Sequence, residues 1–151
     1  MAIVIRNYTP QDKAAVIRLL QLNTPTYFAP SEEADLANYL ASEVEDYFVA
    51  ELDSEIVGAG GINYFSSEQT ARLSWDIVAP SMQGKGIGQM LVTHRLDLLR
   101  SNSDIALVVV RTTQLVYAFY QKLGFELLKI ERDYWAAGFD LYYMQRSNHK
   151  V

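Results

Sequence analysis

Three glycines in five residues, within Gln83-Gly84-Lys85-Gly86-Ile87-Gly88, stand between a strand-like run ending at Val78 and a helix-like run beginning near Ile87. Such a turn can hold an anion. Glycine lets the backbone approach a ligand without a Cβ in the way, and the first N–H groups of a helix have no intrahelical partner. On the residues alone, the stretch also reads as a tight strand-to-helix turn with no ligand. Two nucleotide-binding patterns do not fit. A dinucleotide fingerprint counted from Gly84 needs glycine at position 89, where the chain has Gln89, and an acid after the next strand, where it has Arg111. A P-loop needs Gly-Lys followed by Ser or Thr, which does not occur here.

Composition narrows the remaining chemistry. The 151 residues include no cysteine, which excludes disulfides, thiolate catalysis and Cys-based metal sites. Only two histidines are present, His94 and His149, so a Ser-His-Asp triad or a multi-histidine metal site would rest on His94 alone. Thirteen basic against eighteen acidic residues give a net charge of −5, which disfavours nucleic acid as a partner and suits a cationic one. No signal peptide is apparent, and the longest apolar run, residues 105–110, is far shorter than the roughly 20 residues of a membrane helix. The expectation is one soluble, cytoplasmic domain over residues 1–151.

The elements that must position the turn follow from periodicity. Residues 2–8 read as a strand, and Thr9-Pro10-Gln11-Asp12 as the start of a helix running to about Leu22. Ser31-Glu32-Glu33 starts a second helix to about Ser42, after a loop carrying Tyr27 and Phe28. Residues 47–52, 56–65 and 69–78 read as a meander. Gly58, Gly60 and Gly61 in its middle strand mark a bulge or a close backbone approach. Ile87, Met90, Leu91, His94 and Leu98 fall at helical spacing over residues 86–100, with His94 a semi-buried residue on or beside that face. A buried strand at 104–111, a helix from Thr112 or Thr113 to Leu123 and two closing strands, 125–134 and 139–146, complete the order β-α-α-β-β-β-α-β-α-β-β.

Two motifs in this frame resemble those of the GNAT N-acetyltransferase superfamily. Gln83, Gly86 and Gly88 match its Gln/Arg-x-x-Gly-x-Gly/Ala turn, preceded by Val78-Ala79-Pro80 at a strand exit. Some thirty residues on, Phe119-Tyr120 and Gly124-Phe125 match its second signature. The resemblance implies an α+β fold with a mixed, mostly antiparallel sheet of about seven strands flanked by about four helices. It implies acetyl-CoA as co-substrate and no metal. Backbone groups of Gln83, Gly84, Lys85, Gly86, Ile87 and Gly88 would bind the pyrophosphate, and Ile77 and Val78 the pantetheine arm, with the Val78 N–H polarising the thioester carbonyl. Lys85 reads equally as a solvated lysine. Tyr120 would be the general acid, because a phenol with an intrinsic pKa near 10 can protonate a departing thiolate.

Where many members place asparagine, seven residues before this tyrosine, the chain has Thr113, which reaches less far. The general base is open among Asp76, Glu51 and ordered water. Strand alternation groups Asp76 with Ser74 and Val78, and a structural or solvent-facing acid is the bland alternative. Tyr27, Phe28, Tyr134, Trp135, Tyr142 and Tyr143 come from segments that border the acceptor in the family, which implies an aromatic-walled pocket for a primary amine. Core packing is the alternative for each. The whole reading is an acetyltransferase acting in a ternary complex on a small-molecule or peptide amine, set against a silent acyl-CoA-binding sensor. Aromatic edges could also support a homodimer.

Overall fold

A computed structural model describes residues 2–149. The strands are β1 (Ile3–Asn7), β2 (Asp46–Leu52), β3 (Glu55–Phe65), β4 (Thr70–Val78), β5 (Leu107–Thr112), β6 (Glu126–Ala136) and β7 (Phe139–Ser147). The helices are α1 (Lys13–Leu22), α2 (Glu32–Ser42), α3 (Ile87–Arg100) and α4 (Tyr117–Lys122). Their order is the one expected from the sequence. All seven strands form one sheet, β1-β2-β3-β4-β5-β7-β6, in which β4 and β5 run parallel and every other neighbouring pair is antiparallel.

Neighbouring residues of a strand point to opposite faces, and β2 uses this to separate two helical layers. Tyr47 meets the Tyr39 ring of α2 at 5.8 Å, whereas Phe48 meets the His94 ring of α3 at 4.9 Å. The sheet is therefore sandwiched, with α2 on one face and α3 on the other. Val49, Ala59, Ile62, Ala71, Val108 and Met144 are wholly buried within it.

Two expectations shift in detail. The buried side of α3 is Ile87, Leu91 and Arg95 flanked by Val92, Leu96 and Leu99, while Met90 and Leu98 face out. The reason lies in β3: a Cβ on Gly58 would stand 3.0 Å from Ile87 and 3.1 Å from Leu91, so the glycine surface selects which stripe docks. Helix α4 is also shorter than its apolar spacing suggests. The Thr113 carbonyl accepts from the Val116 and Tyr117 N–H groups, and this turn delays the helix to Tyr117.

Strand β4 pairs with β5 only from Thr70 to Leu73, against Leu107 to Val110. Beyond that point β5 continues beside β7, and residues 74–78 of β4 leave it. The sheet opens there into a wedge.

At the far edge of the sheet, Arg6 donates to Asp12 at 2.8 Å and 2.9 Å and to Glu51 at 2.6 Å. Glu51 is thus occupied at the β1–β2 edge and is not brought to the wedge, which corrects its candidacy as a base. The Asp12 carboxyl is lowered from 3.8 to about 2, chiefly by its hydrogen bonds from Arg6 and against the cost of burial. A depressed folded-state pKa stabilises above the ordinary value and loses that contribution as pH falls toward 2. Asp12→Asn should cost about 1 kcal/mol at about pH 5, discounted for the half-exposed Arg6, and much less near pH 2.5. Urea denaturation of both proteins at the two pH values tests this; an equal loss at both would refute the linkage.

Candidate active site

The predicted turn is built as a cradle. After β4, Pro80–Met82 forms a 3-10 turn, and Gly84 and Gly86 then adopt φ of +79° and +83°. A side chain there would be strained even though nothing lies within 4 Å of either position. Helix α3 starts at Ile87, and its first backbone bond is from Met90 N–H to the Gly86 carbonyl at 3.0 Å. The N–H groups of Ile87, Gly88 and Gln89 therefore have no intrahelical acceptor. Gly88 admits the Phe119 ring, which a Cβ would meet at 3.3 Å, and so brings α4 against the mouth of α3.

A cavity of about 560 Å³ runs from this turn into the wedge, lined by Ile77, Val78, Gln83, Gly84, Gly86, Ile87 and Gly88 among others. Lys85 is exposed and lines neither cavity. An elongated ligand ending in phosphates fits these groups: open glycines at the turn, unpartnered N–H groups behind it, and a released strand edge along the arm. Asn23, unforeseen from the sequence, is buried here. Its amide donates to the Leu19 carbonyl at 2.8 Å and the Val78 carbonyl at 3.0 Å, and its oxygen accepts from Gln83 at 3.3 Å. One side chain thereby ties α1, the end of β4 and the turn.

Opposite Gly60, β4 carries an extra residue. The register passes from Gly61↔Ser74 to Ala59↔Ile77, leaving Trp75 and Asp76 to share one partner, with Trp75 at φ +52°. The Tyr47 hydroxyl donates to the Trp75 carbonyl at 2.8 Å and holds the bulge. This breaks the alternation expected from the sequence: Ser74 parts company with Asp76 and Val78, which both reach the α3 side.

There Asp76 meets two groups. Tyr120 donates its phenol proton to Asp76 Oδ2 at 2.5 Å, and Arg95 Nη1 donates to Asp76 Oδ1 at 2.6 Å and to the Gly61 carbonyl at 2.9 Å. Arg95 also donates to Leu91 within its own helix at 3.0 Å. Its side chain is wholly buried, and its Nη2 has no hydrogen-bond partner among the described residues. Burial works against the Arg95 charge, but the charge and hydrogen bond of Asp76 outweigh it and raise its pKa. Burial pushes the Tyr120 phenol well above 10, and Asp76 pushes it further by charge and by hydrogen bond, with Arg95 opposing. The phenol thus stays protonated at neutral pH. Arg95 was missed as a site residue, although its spacing from Ile87 and Leu91 places an arginine in the middle of an apolar stripe.

A second cavity, of about 400 Å³, meets the first at Asp76 and Tyr120. Tyr27 and Phe28 line both, and Trp135 lines the second. Phe28 stacks on Trp75 with centroids 6.3 Å apart, and the Trp135 indole donates to the Thr112 carbonyl at 3.2 Å. Thr113 also lines this second cavity and not the first. Tyr142 is not brought to either cavity; it packs on Tyr117 with centroids 4.8 Å apart. Tyr134 and Tyr143 likewise line neither cavity.

Comparison with known proteins agrees with this architecture. The family model described as Acetyltransferase (GNAT) family matches residues 16–125. The chain belongs to this family. N-alpha-acetyltransferase RimI of Mycobacterium tuberculosis is 30% identical over 115 residues, 72% of this chain and 70% of that protein. Among solved structures, the ribosomal-protein-S18-alanine N-acetyltransferase of Escherichia coli superposes with a TM-score of 0.81 at 18% identity, covering 99% of this chain and 96% of that one. The yncA structure from Salmonella typhimurium, solved with its cofactor acetyl-CoA, has a TM-score of 0.73 at 18% identity, covering 100% and 96%. The described residues of this chain form a seven-stranded mixed sheet and four α-helices.

The site's dependence on close approach is testable at Gly60. A Cβ there would lie 2.8 Å from Asp76 Oδ1 and 2.9 Å from Arg95 Cζ. Gly60→Ala should destabilise the protein by about 1–3 kcal/mol, measured by urea denaturation. Wild-type stability would show that the pair has room to shift.

Proposed function

We propose that the protein transfers an acetyl group from acetyl-CoA to a primary amine by direct attack in a ternary complex, with Asp76 and Tyr120 handling the protons. When bound, acetyl-CoA supplies the acetyl group as a thioester. The observation that carries this reading is the Tyr120–Asp76 hydrogen bond, formed between two residues that line both cavities. Residues 84–89 and the released edge of β4 would take the cofactor, and the smaller cavity the amine. The relative's name, an N-alpha-acetyltransferase, puts α-amines first among acceptors to try. Among the described residues, no helix is long and apolar enough to cross a membrane.

The pKa pattern suits a relay better than an isolated acid. While Asp76 is charged, Tyr120 is too weak an acid to give up its proton, because a phenolate would sit beside a carboxylate. Once Asp76 Oδ2 accepts the proton leaving the acceptor nitrogen, that repulsion ends. Tyr120 can then release its proton toward the departing sulfur and recover one from Asp76. Net transfer is one proton from nitrogen to sulfur. Arg95 acts as a positioning residue, holding Asp76 Oδ1 by a hydrogen bond so that Oδ2 faces Tyr120.

Tyr120→Phe and Asp76→Asn should each lower kcat by about 100-fold or more, read as acceptor-dependent thiol release, while acetyl-CoA affinity stays within a few-fold. Unchanged turnover in either variant would remove that residue from the mechanism. Cofactor binding without acceptor-dependent thiol release, over a broad panel of amines, would favour the acyl-CoA sensor instead.

A further inference from the structure

The smaller cavity has a charged end that acetyl transfer alone does not use. Arg72 on β4 pairs in register with Val109 on β5, and Arg111 stands two residues beyond Val109, so both arginines rise from the same face of the sheet. Both line the cavity, together with Asp76. Neither guanidinium makes a hydrogen bond or an ion pair within the described residues, where Arg111 Nε is buried without a partner. Their contacts are with aromatic faces, Arg72 with Phe65 at 4.8 Å and Arg111 with Trp135 at 5.5 Å. Three other arginines of this acidic chain find carboxylates: Arg6 has Asp12 and Glu51, Arg95 has Asp76, and Arg100 has Asp97.

Two guanidiniums close together without a carboxylate are costly to hold. Burial pulls the Arg72 pKa down and Arg111 pulls it further, while Tyr39, Glu43 and Tyr143 oppose this from outside ion-pairing range. Glu32, Asp35 and Glu43 also border the cavity, but the Glu32 carboxylate already accepts from the Ala29 N–H at 2.8 Å, while Asp35 and Glu43 are exposed and neither is ion-paired with Arg72 or Arg111 among the described residues. A guanidinium fork matches a carboxylate through two parallel hydrogen bonds.

We propose that Arg72 and Arg111 form an anion subsite that takes the carboxylate of the acceptor, whose primary amine faces Asp76. The acceptor is then an amino acid, or a peptide N-terminus with an acidic group close by. Arg72 and Asp76 are roughly 10 Å apart along β4, and the length of the arginine side chain shortens the gap to what such a molecule spans. This assignment rests on the smaller cavity being the acceptor site.

Both tryptophans of the chain, Trp75 and Trp135, line this cavity, so intrinsic fluorescence reads its occupancy without turnover. The full chain with coenzyme A in place of acetyl-CoA, so that no transfer occurs, is titrated with glycine, β-alanine, L-glutamate and the C-terminally amidated dipeptide alanyl-glutamate, each beside the counterpart in which the carboxylate is an amide. The best carboxylated probe should bind about tenfold more tightly than its counterpart. Arg72→Gln and Arg111→Gln should each bring that ratio close to one with acetyl-CoA affinity retained. Arg111→Lys, which keeps the charge without the fork, should keep part of the preference and serves if a glutamine variant does not fold. A preference confined to the dipeptide assigns the anion to a peptide side chain, and one among the amino acids assigns it to a small molecule; both support the subsite. No preference in the wild type, or a preference that survives the substitutions, overturns it. Thiol release is followed with the same panel. Release with no carboxylate preference would leave acetyl transfer standing and remove the subsite, whereas selective binding without release would do the reverse.

Discussion

The parting of β4 from β5 after Leu73 is the constraint on which the rest of the site depends. Parallel strands normally continue side by side, and leaving the edge of residues 74–78 unpaired with β5 sacrifices ladder hydrogen bonds. Within the sheet β5 is held by β7 through Thr112, and β4 by β3 through Val78, so neither can follow the other. The gap is thus enforced by the outer strands. Both cavities, the glycine turn and the Asp76–Tyr120 contact lie in or beside it.

Arg95 is the most expensive element placed in that gap. Burying an isolated guanidinium costs several kcal/mol, and removing one member of a buried pair typically costs about 3–5 kcal/mol. Its partner Asp76 is itself 18% exposed, so the pair is dry at the helix and reachable from the cavities at the carboxylate. That asymmetry is what the proton acceptor of the proposed transfer requires. A carboxylate buried on both sides could not receive a proton from outside.

Element order was legible because it depends on local signals: period-two apolar runs, the Thr9-Pro10 helix start, the Gly124 stop, and the glycines before Ile87. The turn was legible for the same reason. Asp76 was named, but its orientation was not readable, because a bulge at Trp75 shifts side-chain parity and no residue type announces it. Arg95 and Asn23 escaped for a related cause. Each acts through contacts distant in the chain, Arg95 to Gly61 and Asp76, and Asn23 to Val78 and Gln83. Tyr142 failed in the opposite direction: it lies on a strand that borders the site, yet its ring is taken by Tyr117.

Tyr27 and Phe28 close both cavities with one short stretch of loop, anchored where the Tyr27 N–H donates to the Asn23 carbonyl at 2.9 Å. A wall with two sides cannot be remodelled for one room alone. Any substitution there that widened the smaller chamber would also reshape the larger, so on the proposed assignment of acceptor and donor to these chambers, divergence toward new acceptors would be penalised by a weakened hold on the donor. Arg72, Arg111 and Trp135 carry no such burden, since they border only the smaller chamber. On that assignment, drift in specificity would be channelled to the β4–β5 floor and the β6 rim, with the loop held still.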